Sequence, residues 1–248
     1  MLRPPTRLFL TALFAAAIGP AARGAPAVTY DGCLELAQSD PATALQLATG
    51  WARTSGGEAA EHCAAVALTG LRRFAEAAVK LDALAKSPFA SDSFRKKSLF
   101  DQAGNAWLLA GRADNAIASF SAGLAADAFD ADLLSDRARA LAMKQNWAKA
   151  ESDLGVALLV NPDRADLYVL RGSARHALGR KADARADFDH ALKLQPGNAD
   201  ALVERGTMKF EAGDAAGARA DWQAAIAAAP SSPAADSARQ HLTDGTGH

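Results

Sequence analysis

Cysteine is almost missing from this sequence: Cys33 and Cys63 stand alone, thirty residues apart. No CxxC spacing occurs, so neither a thiol redox motif nor a zinc knuckle is encoded. In an oxidising compartment an even pair suggests a disulfide, whose loop is worth ~3–4 kcal/mol in the chain-entropy model. The other reading is two buried free thiols acting as small core residues. A basic excess is missing too, since 27 Lys and Arg face 28 Asp and Glu. That excludes the cationic stripe a nucleic-acid binder needs. The histidines, His62, His176, His190, His241 and His248, show no HExxH or related ligand spacing, so no metal is expected. There is no GxSxG, no phosphate-cradling glycine loop and no nucleophile beside a base. No cofactor is expected, and no enzyme activity.

Alanine dominates what is present, half the chain is hydrophobic, and tyrosine, methionine and β-branched residues are sparse. Such a composition favours helix throughout and supplies ample core. Residues 1–27 read separately: Arg3 and Arg7, then an apolar run from Leu8 to Ile18, then small residues ending in Ala25-Pro26-Ala27. This is the pattern of a secretory signal peptide cut before Val28. The run is well short of the roughly 20 residues a membrane span requires, so no membrane association is expected after cleavage. Removing Arg3, Arg7 and Arg23 takes Lys plus Arg from 27 to 24 against 28 acids, a net of −4. The expected location is periplasmic or secreted, and the alanine-rich composition with this leader points to a bacterial source.

A period of 34 runs through the second half. Asn161–Gly172 (NPDRADLYVLRG) aligns with Gln195–Gly206 (QPGNADALVERG), and Pro162, Pro196 and Pro230 are each 34 apart. The same spacing relates Ala150, Ala184 and Ala218, then Leu154, Phe188 and Trp222, then Ala157, Ala191 and Ala225. One period earlier stand Gly104, Trp107, Gly111, Ala116 and Phe120. Each period divides into two helices, as in Ala165–Leu178 and Lys181–Leu194, with Gly179-Arg180 as the turn. Such a hairpin cannot bury its own apolar face, whereas stacked neighbours can.

Gly172, Gly179, Ala184, Phe188, Ala191, Pro196 and most of their counterparts resemble the tetratricopeptide repeat over Lys97 to Pro230. That resemblance implies an all-α, right-handed superhelical array of antiparallel helix pairs. Residues 97–230 are expected to hold four units and 28–96 two degenerate ones, with SGGE (Ser55–Glu58) and SPFASDS (Ser87–Ser93) between units. Residues 231–248 are expected to form a capping helix and a tail. The family generally binds other proteins on the concave surface of its first helices. Carried over, the groove residues are Asp101, Asn105, Leu108, Ser135, Arg139, Met143, Val169, Ser173, His176, Val203, Thr207 and Phe210, with Met143 and Phe210 as apolar anchors. Some members grip a C-terminal carboxylate with lysine, arginine and asparagine. Asn105 fits that clamp, but Asp136, Asp166 and Leu170 fill its later sites, so the clamp is absent.

The stretch RADFDHAL (Arg185–Leu192) holds two aspartates and a histidine and invites an acid/base reading. The period dissolves it. Asp153, Asp187 and Asp221 each follow an arginine, Arg137, Arg171 and Arg205, by sixteen residues, while the earlier unit has Ala103 and Ser119. Arginine and aspartate come and go together, which predicts an ion pair joining the helices of one hairpin. Asp189 and His190 are assigned to the variable surface. Asp132, Asp166 and Asp200 form another column, either complementing helix dipoles or attracting a basic peptide. The expected function is a non-catalytic scaffold that holds a protein or peptide partner. The alternative is an accessory subunit or enzyme acting on cell-envelope polymer through groove carboxylates, which would want a concave face dense in acids and aromatics.

Overall fold

The computed structural model describes residues 28–244; the expected leader, 1–27, and the final GTGH lie outside them. The described residues contain helices and no strand. They pair in chain order: α1 (Tyr30–Ser39) with α2 (Pro41–Trp51), α3 (Gly57–Gly70) with α4 (Phe74–Leu84), and α5 (Ser93–Leu109) with α6 (Ala113–Leu124). There follow α7 (Ala131–Met143) with α8 (Trp147–Val160), α9 (Ala165–Ala177) with α10 (Lys181–Leu194), and α11 (Ala199–Glu211) with α12 (Ala215–Ala228). A last helix, α13 (Pro233–Asp244), packs on α12 and α11 and buries Ala234, Ala235 and Ala238. Each helix packs on its sequence neighbours, and the first helices α5, α7, α9 and α11 also touch one another in succession. The result is a right-handed superhelical array whose first helices line the inner layer.

The fit inside each hairpin is set by one pair of positions sixteen residues apart. Gly104 lies under Phe120, Gly172 under Phe188 and Gly206 under Trp222; a Cβ at these glycines would come within 2.4, 2.5 and 2.7 Å of a ring atom. In the remaining unit Leu154 stands where the others have a ring, and Ala138 where they have glycine, both buried. Ring and glycine, or leucine and alanine, are two solutions to one volume. The turns follow the same period. Gly111, Gly179 and Gly213 end their helices with φ of 71°, 76° and 86°, and Gln145 holds the same place at 57°. Arg180 N–H reaches Arg175 O at 2.8 Å and Gly179 N–H reaches His176 O at 2.8 Å, the paired bonds that close a helix through a left-handed residue.

The N-terminal units depart from this plan. Their turn residue is Arg72, φ 59°, which lies 111 − 72 = 39 residues before Gly111. This stretch is therefore 39 − 34 = 5 residues longer than the period, mostly because α5 starts 111 − 93 = 18 residues before its turn glycine where α9 starts 179 − 165 = 14 before its own. The first core is built almost wholly of small side chains, Cys33, Ala37, Ala44, Ala48, Cys63, Ala64 and Ala67. The two cysteines are joined, with Cα atoms 6.0 Å apart, tying α1 to α3. The bridge supplies constraint where large apolar groups are scarce. The expected separator SGGE does fall between the first two helix pairs. Trp51 runs through a π-helical turn, Ala52–Gly56, directly into α3, and the chain bends at Gly57, φ 49°, not through a loop.

Candidate partner-binding groove

Between the helices of each hairpin lie the three charged pairs. Arg137 donates Nε and Nη2 to Asp153 at 2.8 and 2.8 Å, Arg171 reaches Asp187 at 3.0 and 2.7 Å, and Arg205 reaches Asp221 at 2.8 and 2.8 Å. These are two-pronged guanidinium contacts on nearly buried carboxylates. A second cation completes two of them: Arg175 Nη1 meets Asp187 at 2.8 Å, and Lys209 Nζ meets Asp221 at 2.7 Å. Burial works against ionising Asp221, yet bonds from Arg205 and Lys209 hold it below the usual carboxylate range. These acids are thus neutralised in place and present nothing to a substrate.

Asp189 and His190 lie at the surface, half-buried and exposed, and both make contacts there. Asp189 accepts from Nη1 of Arg205 in the next unit at 3.0 Å, and the His190 ring lies 4.2 Å from that of Tyr168. Arg137 makes the equivalent contact to Ser121 at 3.1 Å. The arginine column therefore joins consecutive units as well as the two helices of one.

The inner layer carries the candidate site. Asn105 stands between two acids, its Nδ2 donating to Asp101 Oδ1 at 2.9 Å and to Asp136 Oδ2 at 3.1 Å across α5 and α7. Burial pushes the Asp101 carboxyl up to about 6, with Asp136, Asp130 and Asp132 adding to the effect and Lys97 opposing it. Asp136 is also raised, by burial first, against the bond from Asn105 and the charge of Arg139. Asp132 and Asp166, in the first turns of α7 and α9, share Arg164 at 2.7 and 2.7 Å. Further along, His176 meets Glu211 at 3.1 Å, and the Glu204 carboxyl is raised by burial and by Asp200. Asp101 and Asp136 contact an amide and a guanidinium, groups that hold a carboxylate and do not relay protons.

Of the expected groove residues, Asp101, Asn105, Arg139, Ser173, His176, Thr207 and Phe210 keep accessible surface on the first helices, and Leu108 packs partly against the core. Ser173 and Thr207 spend their hydroxyls on the carbonyls of Val169 and Val203, one turn back. Ser135, Val169 and Val203 are corrected: all three are buried, at 3, 7 and 8% exposure, because their helix faces the neighbouring unit at that position. Met143 is exposed, at 53%, but it sits one residue off the column of Leu108, His176 and Phe210, whose member there is Ala142. Leu109, 62% exposed, is the true counterpart of Met143. The period also gave no sign of a cavity of about 560 Å³ on this inner face, where Pro41, Val66, Leu81, Ala106 and Leu109 meet Asp101 and Asn105. Its walls come from α1 to α5, where the broken period hid the register. Among the described residues no cluster of His, Cys, Asp and Glu is arranged to hold a metal ion, and no helix is long and apolar enough to cross a membrane.

The sequence profile of the tetratricopeptide repeat matches residues 135–199 and 169–233. Residues 135–233 are therefore tetratricopeptide repeats. RNA polymerase II-associated protein 3 of Xenopus laevis is 40% identical over 75 residues, 30% of this chain and 11% of that protein. The chain thus spans about a tenth of the length of the curated relatives it matches. Among solved structures, MamA is similar at a TM-score of 0.57 and 18% identity, over 66% of this chain and 93% of that one. YrrB, described as a tetratricopeptide protein with an unusual peptide-binding site, is similar at 0.55 and 19%, over 77% of this chain and 96% of that one. At these identities the likeness establishes the fold.

Proposed function

We propose that this repeat array is a non-catalytic scaffold of the bacterial periplasm, binding an extended segment of a protein partner along its inner face. The observation that carries the reading is the inner face itself. A cavity at one end and exposed Leu109, Met143 and Phe210 along it give apolar purchase, and half-buried polar groups between them give register. The Cys33–Cys63 bridge and the secretory pattern of residues 1–27 support export. Carboxylates are more numerous here than expected, yet the aromatic platforms a sugar polymer would stack on are engaged elsewhere, Tyr168 with His190 and Trp222 with His241. That favours the scaffold over the polymer-directed reading.

The test is a pull-down from periplasmic extract with the unmodified chain and with Met143→Glu/Phe210→Glu. Loss of the specific partner from the variant is expected, and partners retained equally by both would overturn the groove assignment. Export is checked by the N-terminal residue of the protein recovered from the periplasm, expected to be Val28; an uncut chain in the cytosol would refute it.

A further inference from the structure

Two features adjoin on the inner face. The first is the cavity of about 560 Å³, within the size range of ligand pockets. Val66, Leu81, Ala106 and Leu109 give it an apolar lining, and half-buried Thr69 lines it as well. The second is the pair of carboxylates beside it. Asp101 lines the cavity and shares Asn105 with Asp136. No lysine or arginine among the described residues is within ion-pair distance of Asp101: Lys97, the nearest cation on its helix, is spent on Asp127 and Asp130 at 3.1 and 2.6 Å. Arg139 reaches Asp136 at 3.1 Å from an exposed position where water screens the pair, and Arg164 is taken by Asp132 and Asp166. Asp200 and Glu204 extend the negative strip toward the other end.

We propose that this end of the groove takes a segment bearing a lysine or arginine next to a bulky apolar residue, the apolar group filling the cavity and the cation sitting against the Asp101–Asn105–Asp136 cluster. This rests on the reading of the inner face as the partner site and names the chemistry of the partner. Two like charges brought together across one amide, with water partly removed, leave an electrostatic cost that an incoming cation relieves. An acidic segment would add to that cost. The apolar cavity gives the affinity and the acid pair selects the sign of the charge beside it.

The test uses the purified chain, with Cys33–Cys63 oxidised, to select from phage-displayed random dodecapeptides. The best binders are then synthesised with a fluorescent label and measured by anisotropy. The expected binders place Lys or Arg beside Leu, Ile or Phe. Asp101→Asn/Asp136→Asn should weaken them at least tenfold, and replacing their cation with Gln should do the same on the unmodified chain and little on the variant. Thr69→Phe, which places a ring in the cavity it lines, should also weaken them tenfold; Leu109→Ser serves if that variant does not fold. Binders without cations, or binders indifferent to the acid pair, overturn the inference. If those same binders are lost on Met143→Glu/Phe210→Glu, the groove reading survives without it. Failure to select any peptide, or binding unaffected by every inner-face substitution, overturns both.

Discussion

The pairing of Arg137 with Asp153 makes a sharper test than the RADFDHAL aspartate. Asp187 has two cations, so deleting Arg171 leaves Arg175 in place, whereas Asp153 is paired with Arg137. Asp153→Ala strands a guanidinium that is 24% exposed, opposite a carboxylate that was 13% exposed. Breaking a fully buried pair costs ~3–5 kcal/mol. Here water reaches part of the arginine and Ser121 still accepts from it, which brings the estimate to ~2–3 kcal/mol. For a chain of this length that is a fall in Tm of ~5–10 °C. Asp153→Ala with Arg137→Leu removes the stranded charge, and the leucine meets Ile117 and Leu141, which line the same crevice. At least half of the lost stability should return. Thermal and urea unfolding, followed by circular dichroism, read the difference. A double variant as unstable as the single one would refute the view that the aspartate is there to neutralise a buried arginine.

Other outcomes follow from the same physics. Gly172→Ala should cost ~1–3 kcal/mol through the clash with Phe188, and adding Phe188→Leu should recover much of it, since Ala138 and Leu154 already coexist one unit earlier; a cycle without coupling would refute the volume rule. Gln145→Gly should stabilise by ~0.5–1 kcal/mol by relieving a left-handed residue, read as a higher urea midpoint. Reducing Cys33–Cys63 should cost ~3–4 kcal/mol and be felt first in residues 30–70, seen as faster amide exchange there while 97–230 stays protected. The folded Asp101 value of about 6 lies above its ordinary 3.8, so the fold favours the protonated acid. Its contribution is full below about pH 4 and lost as pH rises through about 6. Asp101→Asn should therefore stabilise at pH 8 by ~1–2 kcal/mol after allowance for solvent screening, and not at pH 4; equal effects at both would show that charge is not the cause.

The array was legible because a repeat states its rule several times. Glycine under a ring, alanine where helices approach and proline after the second helix recur at 34, and each recurrence follows from steric need. The arginine and aspartate columns were legible for the same reason, since a buried charge demands its partner wherever it occurs. What escaped was what does not repeat. The five additional residues between Arg72 and Gly111 broke the register, so the walls of the cavity could not be assigned to one face. Burial of Ser135, Val169 and Val203 depends on the angle between units, which a 34-residue period does not contain. Sequence by itself determined that helical hairpins form and what joins each one, because those contacts lie within a single period. Only the tertiary structure decided which side chains remain open on the inner face and that Asp101 and Asp136 meet there, because superhelical stacking brings them together from different helices.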